Sequence, residues 1–166
     1  SAERDEVLRQ LFNEMGDAGI QLCKHDGLTA TEQEYLDDYF DRRILPMLTP
    51  LAVDPAHPFP YISNLALSIG VIVSDPDTRE ERFARVKVPT TLDRFVDIGD
   101  QRFVTLETII VHRLQSLFPG MNVSTGQVFR VTRNTDLSID AEEAEDLLTA
   151  VELELRTRRF GNPVRL

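Results

Sequence analysis

Residues 50–64 read Pro-Leu-Ala-Val-Asp-Pro-Ala-His-Pro-Phe-Pro-Tyr-Ile-Ser-Asn, and this stretch limits how the rest of the chain can fold. Five of the nine prolines lie between Pro46 and Pro60. Proline fixes its own φ and disfavours a helical conformation in the residue before it. The segment is also too apolar for a flexible linker. We therefore predict a rigid, extended ribbon, with Phe59 buried between a helical region before it and an α+β region after it.

Two amphipathic helices are predicted before the ribbon. The first covers residues 3–18, and the second follows a capping box that begins at Thr29 or Thr31 and ends before Pro46. We assign residues 1–45 to this helical segment and expect both helices to pack together on the ribbon. Their apolar faces are formed by Val7, Leu8, Leu11, Phe12 and Met15 in the first helix and by Tyr35, Leu36, Tyr39 and Phe40 in the second.

Beyond the ribbon, the spacing of apolar residues changes from a helical period to alternation, which is typical of strands. Residues 46–166 are therefore assigned to one α+β domain. The predicted fold is α+β, with two N-terminal helices, the proline-rich ribbon and then a mostly antiparallel sheet with two packed helices. The predicted elements are a half-buried strand at 65–73, a strand at 82–88, a hairpin of 94–98 and 103–106 around Gly99-Asp100, a helix at 106–118, a strand at 128–133 and a long helix from Ser138 or Asp140.

Five stretches in order resemble motifs of one family: residues 46–60 with Ser63-Asn64, residues 83–89, residues 117–121, residues 129–134 and residues 145–148. The resemblance covers nearly the whole chain from about Gly19 onward. The ribbon resembles the stretch that opens the middle, or head, domain of polyphosphate kinases. The resemblance also implies that the helical segment includes the end of that family's N-terminal domain.

The resemblance implies a parent enzyme that moves the γ-phosphate of ATP reversibly, through a phosphohistidine, onto inorganic polyphosphate with magnesium. In that family the head domain has a structural role and contributes to the dimer interface. The phosphorylated histidine and the ATP and magnesium ligands belong to the C-terminal half. We therefore expect no catalytic, cofactor-binding or metal residue in this chain, and no activity in isolation. The expected partners are other domains of the same polypeptide and a second copy of the parent, which itself binds ATP and polyphosphate.

His57, Arg130 and Arg133 are the candidate residues for contacts with a phosphate chain or a neighbouring domain. His57 lies near Asp54, an arrangement that suits a nucleophile with an orienting carboxylate and leaves open a small phosphotransferase. The alternative is that His57 stiffens the ribbon. Arg130 and Arg133 point to opposite faces of a strand, where one could bind phosphate in a bidentate manner. The alternative is ion pairing with the acidic start of the last helix, at residues 142–146.

The composition restricts the class of function. A net charge of −10 argues against a nucleic-acid binder, although sixteen of the eighteen basic residues are arginine, which suits local anion sites. The single cysteine, Cys23, and the lack of a membrane-length apolar run suggest a cytoplasmic protein, and peripheral membrane attachment of the parent stays open. The alternative function is a self-contained anion-binding or protein-interaction module. Clustered arginines would favour that module, whereas dispersed, paired arginines would favour a scaffold.

Both termini suggest a piece of a longer polypeptide. Ser1 is not an initiator methionine, and residues 162–166 begin what we predict to be another strand. We therefore expect the chain to continue in the parent protein.

Overall fold

The computed structural model describes residues 2–52, Ile62 and residues 65–131. The predicted burial of Phe59 and the predicted helix from about residue 140 lie outside these ranges. The helices are α1 (Ala2–Asp17), α2 (Ala30–Tyr39), α3 (Leu106–His112) and α4 (Leu114–Leu117). The strands are β1 (Gln21–Leu22), β2 (Leu51–Ala52), β3 (Leu67–Ser74), β4 (Glu81–Lys87), β5 (Phe95–Gly99), β6 (Arg102–Thr105), β7 (Asn122–Val123) and β8 (Gln127–Arg130). Short 3₁₀ turns cover His25–Gly27 and Leu45–Met47, and a π-helical turn covers Phe40–Ile44.

Strand β3 lies at the centre of the larger sheet. It pairs antiparallel with β4 on one side and with β7 and β8 on the other, and β2 extends the sheet beyond β4. The sequence predicted a half-buried strand here, and that prediction is wrong for residues 68–71, which are buried on both faces. Ser68 and Gly70 are buried together with Ile69 and Val71, so the alternation of small and large residues does not mark a solvent-facing side.

The β5–β6 hairpin belongs to a second sheet, in which β1 pairs parallel with β6. The predicted turn at Gly99-Asp100 is shifted by one residue. Asp100 and Gln101 form the turn, both with positive φ, and Gly99 pairs with Arg102 after a bulge. Positive φ at both central residues matches the twist of the flanking strands. The prediction of a mostly antiparallel sheet is confirmed, with the strands divided between two sheets.

The core lies between the larger sheet and the helices. Leu36, Phe40 and Ile44 enter it from α2 and the π-helical turn. The N-terminus of α2 is fixed by the predicted capping box at Thr29, the first of the two possible start sites. The Glu32 N–H donates to Thr29 Oγ1 at 3.3 Å, and the Thr29 N–H donates to Glu32 Oε2 at 2.7 Å. The core also includes Ile69, Val71, Val86, Val104, Leu106, Ile110 and Leu114.

The predicted helix at 106–118 is interrupted at Arg113, which separates α3 from α4. Arg113 has φ −99° and ψ 12°, and its N–H donates to the carbonyls of Ile109 and Ile110 at 3.1 Å each. The helical pattern of apolar residues continues through this position and therefore does not indicate the break. The Arg113 side chain bonds to carboxylates on the helical segment, and these tertiary contacts accompany the break.

Helix α1 is present where it was predicted, but its apolar face is not buried. Val7, Leu8, Leu11 and Phe12 are between 41% and 60% exposed. The Ile20 N–H donates to Met15 O at 2.8 Å, and Gly19 has φ 80°, a C-terminal arrangement that turns the chain directly into β1. The expected packing of the first helix's apolar face on α2 is therefore not found among the described residues.

Candidate functional site

Arg130 is the one residue of the three candidates that lies in the described part of the chain. It is exposed at the end of β8, where its Cα is paired with that of Leu67. Within the described residues it forms no ion pair. His57 and Arg133 lie outside the described residues, and their proposed roles stay predictions.

Most other described arginines bind carboxylates. Arg94 forms the most extensive of these contacts, with Glu107 in the first turn of α3. Its Nε donates to Glu107 Oε1 at 3.0 Å and Oε2 at 3.3 Å, and its Nη2 donates to Oε1 at 2.5 Å. Hydrogen bonding to the buried Glu107 carboxylate raises the pKa of Arg94. The pair fixes the segment that leads into β5 against α3.

A second pair joins the β5–β6 hairpin to the start of α2. Arg102 donates from Nη1 to Glu32 Oε1 and from Nη2 to the carbonyl of Gly27, the latter at 3.3 Å. Both side chains of this pair are largely shielded from solvent. The Thr29 backbone hydrogen bond and, to a smaller extent, the Arg102 charge lower the pKa of Glu32. One carboxylate thus caps a helix and anchors a hairpin.

Arg113 connects α3 to the helical segment. It donates from Nη1 to Asp37 Oδ1 at 2.7 Å and from Nη2 to Asp41 Oδ1 at 2.8 Å. Its guanidinium carbon also lies 4.8 Å from the centre of the Phe40 ring, within the range of a cation–π contact. Further pairs, Arg9–Glu6, Arg42–Asp38 and Arg82–Glu80, are on the surface. The described pairs are dispersed over several elements and do not form a basic patch.

Arg85 is a buried basic residue that the sequence analysis did not single out. It lies in β4 opposite Gly70, and its Nε donates to Ser68 Oγ at 3.1 Å. Burial lowers its pKa. The available signal was its position between Ala84 and Val86 in a strand, inside one of the family-like motifs. This arginine therefore contributes to the interior of the sheet.

His25 and His112 are brought together although they are distant in sequence. Their rings are stacked, with centroids 3.2 Å apart and planes inclined by 16°. His25 lies in the 3₁₀ turn His25–Gly27, and the His112 side chain is exposed at the end of α3. Their contact was missed because no local pattern indicates it. Burial and the nearby His25 lower the pKa of His112.

Two cavities lie along α3. The first, of about 320 Å³, is lined by both histidines, Val111 and Gln127. The second, of about 790 Å³, lies between α1, β1 and the start of α3, and includes Phe12, Ile20 and Leu22. Glu107, Thr108 and Val128 line both. Across the described ranges, no group of three His, Cys, Asp or Glu side chains could hold a metal ion.

None of the helices in the described residues is both long enough and apolar enough to cross a membrane.

The fold and its ion pairs define an α+β domain in which Arg94, Arg102 and Arg113 join different elements. A family model described as "Polyphosphate kinase middle domain" matches residues 31–166. The chain belongs to this polyphosphate kinase family.

Relatives and a solved structure agree with this assignment. The chain is 49% identical over 178 residues to the polyphosphate kinase of Synechocystis sp., covering 99% of this chain and 24% of the relative. It is 50% identical over 152 residues to that of Streptomyces coelicolor, covering 92% and 20%. The crystal structure of polyphosphate kinase from Porphyromonas gingivalis is similar, with a TM-score of 0.71 and 25% identity over 90% of this chain and 27% of that one. The chain thus spans about a quarter of the length of these proteins.

Proposed function

We propose that this chain is the structural and assembly domain of a polyphosphate kinase. The parent enzyme would transfer the γ-phosphate of ATP reversibly, through a phosphohistidine, onto inorganic polyphosphate. The observation that carries the structural role is the dispersed ion pairing: Arg94, Arg102 and Arg113 each bind a carboxylate on another element. An arginine held in this way stabilises the arrangement of elements and is less available for a phosphate chain.

The catalytic groups of the parent would lie outside this chain. A nucleophilic histidine needs an activating or orienting partner within hydrogen-bond reach. His25 and His112 contact each other by their ring faces, and neither accepts or donates a hydrogen bond to a carboxylate within the described residues. ATP and magnesium would be bound by other parts of the parent, and we assign no cofactor to this chain.

The partners would be other domains of the same polypeptide and a second copy of the parent. The exposed apolar face of α1 supports this assembly role, because contiguous apolar surface commonly marks an interaction site. We propose that residues 1–45 form a helical segment docked on the domain at 46–166. Leu36 and Phe40 from that segment share a core with Ile69, which supports a firm junction. We place the parent in the cytoplasm.

An anion-binding role is the second candidate, and Arg130 is the observation that favours it. It is exposed on β8 and has no carboxylate partner among the described residues. Together with His57 and Arg133, it is our candidate for contact with the phosphate chain or a neighbouring domain. Such a role would add to the structural one without requiring catalysis in this chain.

Incubation of the purified chain with [γ-³²P]ATP and magnesium tests the first proposal. We expect neither polyphosphate nor an acid-labile label on the protein. If the unmodified chain does become labelled and the label is lost in His57→Ala, the structural assignment is contradicted and a small phosphotransferase is favoured.

Polyphosphate binding by the same chain tests the second candidate. We expect Arg130→Gln to weaken binding more than Arg79→Gln, a control that removes one exposed charge from the β3–β4 connection. Equal effects would argue against a specific contact at Arg130.

A further inference from the structure

The stacked histidine rings join a turn and a helix. Among the described residues, no side-chain hydrogen bond connects these two elements directly. His25 begins the 3₁₀ turn His25–Gly27, and His112 is the last residue of α3. The other end of the turn is held elsewhere: the Gly27 carbonyl accepts from Arg102, and Leu28 is buried in the core. Just before the turn, the Cys23 N–H donates to Phe103 O at 2.8 Å, and the contact between the two rings adds to this bond in positioning the beginning of the turn.

Charged groups surround this pair on several elements. Lys24 and Asp26 flank His25, Asp37 lies on α2, and Arg113 follows His112. The carboxylates of Asp37 and Asp26 raise the pKa of His112, whereas burial, His25 and Arg113 lower it, and the lowering dominates. The Asp37 carboxylate is already bound by Arg113.

The remaining groups near the pair supply little compensation for added positive charge. Glu107 lines the same cavity from α3, but its carboxylate is bound by Arg94. Strand β8 contributes Gln127, which is uncharged. One proton on the pair gives an imidazolium stacked on a neutral ring, whereas a second proton places two like charges in contact, which disfavours the stacked state.

We propose that His25 and His112 form an acid-sensitive latch on the turn at 25–27. With at most one proton on the pair, the rings stay stacked and the turn is held against the end of α3. When both rings are protonated, they separate, the turn is released and the adjoining cavity widens. The latch is a conformational device of this domain and does not depend on the proposed structural role in polyphosphate kinase.

Nuclear magnetic resonance of the 166-residue chain with labelled imidazole rings tests the latch between about pH 8 and pH 5, the range in which histidine charge changes. We expect the His112 ring to gain its proton at a lower pH than an unperturbed imidazole, because burial and the nearby His25 lower its pKa. Cross-relaxation between the rings should be present at the upper pH and lost at the lower one. Rings that remain in contact after both have titrated would overturn the proposal, and this measurement requires no variant.

The variant His25→Phe separates stacking from charge. It keeps an aromatic ring opposite His112 but cannot be protonated, so the ring contact should persist to the lowest pH. The pKa of His112 should rise in this variant, because the repulsion from His25 is gone. Arg79→Gln, which changes an exposed side chain in the β3–β4 connection, should behave like the unmodified chain. If the pKa of His112 were the same in the unmodified chain and in His25→Phe, the latch would be contradicted.

Discussion

Helix α1 and the segment of α2 with its π-helical turn have the same type of apolar pattern but opposite surroundings. Leu36, Phe40 and Ile44 are buried in the core. Leu8 and Phe12 of α1 remain exposed, although their spacing is equally helical. Apolar periodicity therefore predicts that a helix forms and which face is apolar, but it does not identify what covers that face.

The difference between the two segments follows from their connections. The segment containing α2 is joined to the body of the domain through Arg102–Glu32 and through Arg113 with Asp37 and Asp41. The polar contacts described for α1 side chains are within the helix, such as Arg9 with Glu6. An isolated helix of this length is marginally stable in water. We therefore expect α1 to depend on further partners more than α2 does.

The largest predicted contrast is between two phenylalanines. Phe40 is fully buried, so Phe40→Ala should lower the free energy of unfolding by about 3–5 kcal/mol. Phe12 is 50% exposed, and Phe12→Ala should change it by less than about 0.5 kcal/mol. Urea unfolding followed by circular dichroism measures both. A similar loss in both variants would show that α1 is as firmly packed as α2 and would break the comparison.

Two glycines extend the contrast to packing density. A Cβ on Gly126 would lie 2.4 Å from Leu114 Cδ1 and 3.0 Å from Ile69 Cγ2, so Gly126→Ala should destabilise the fold by about 1–3 kcal/mol. Gly16, near the end of α1, has open space at the same position. Gly16→Ala should stabilise the helix by about 0.5–1 kcal/mol. The same unfolding assay would contradict this account if Gly126→Ala were neutral.

Removal of the capping box should have a smaller effect on the free energy of unfolding. Thr29→Ala should cost about 0.5–2 kcal/mol, because it removes the hydroxyl that accepts from the Glu32 N–H. Thr31→Ala is the matched control inside α2 and should have little effect. Equal losses in the two variants would mean that the helix begins elsewhere.

The lowered pKa of Glu32 determines the direction in which the stability of the fold changes with pH. Its pKa is lower in the folded chain than its ordinary value of 4.5, so its contribution to stability is complete above that pH. The contribution should be lost as the pH falls from about 4.5 through the folded pKa. Glu32→Gln should show a weaker loss of stability with acid over this range, measured by urea unfolding at a series of pH values. An unchanged acid dependence would contradict the role of this carboxylate.

The smallest expected effect is self-association of the chain. The net charge of −10 opposes association at low salt, while the apolar face of α1 is available for weak contact. Sedimentation should show a predominantly monomeric chain, with association increasing slightly as salt screens the repulsion. A tight dimer that dissociates at high salt would instead indicate an interface of arginine–carboxylate pairs.

The sequence predicted local features better than contacts between distant residues. The capping box at Thr29, helix α1 and the β3–β4 pairing follow from spacing and turn chemistry within short windows. The break at Arg113 and the His25–His112 stack depend on residues far apart in the chain, which no periodic pattern specifies. The burial of β3 on both faces was also missed, because Ser68 and Gly70 resemble solvent-facing positions in an alternating strand.

The candidate site was predictable only in outline. The five family-like stretches, taken in order, correctly identified the polyphosphate kinase middle domain. Arg130 is exposed at the end of β8, and its contact with a phosphate chain or a neighbouring domain stays a prediction. The ion pairs of Arg94, Arg102 and Arg113 could not be assigned from sequence, since each partner lies on a different element. These ion pairs, rather than the candidate contact residues His57, Arg130 and Arg133, provide the main physical argument for the proposed structural role.

Mapping of the phosphorylated residue in the full-length parent enzyme tests the central claim most directly. The enzyme would be labelled briefly with [γ-³²P]ATP and magnesium, digested at neutral or alkaline pH to preserve phosphohistidine, and its labelled peptides sequenced. We predict that the acid-labile phosphate lies outside the 166 residues of this chain. Labelling of His25, His57 or His112 would contradict the assignment of this domain to a structural, non-catalytic role.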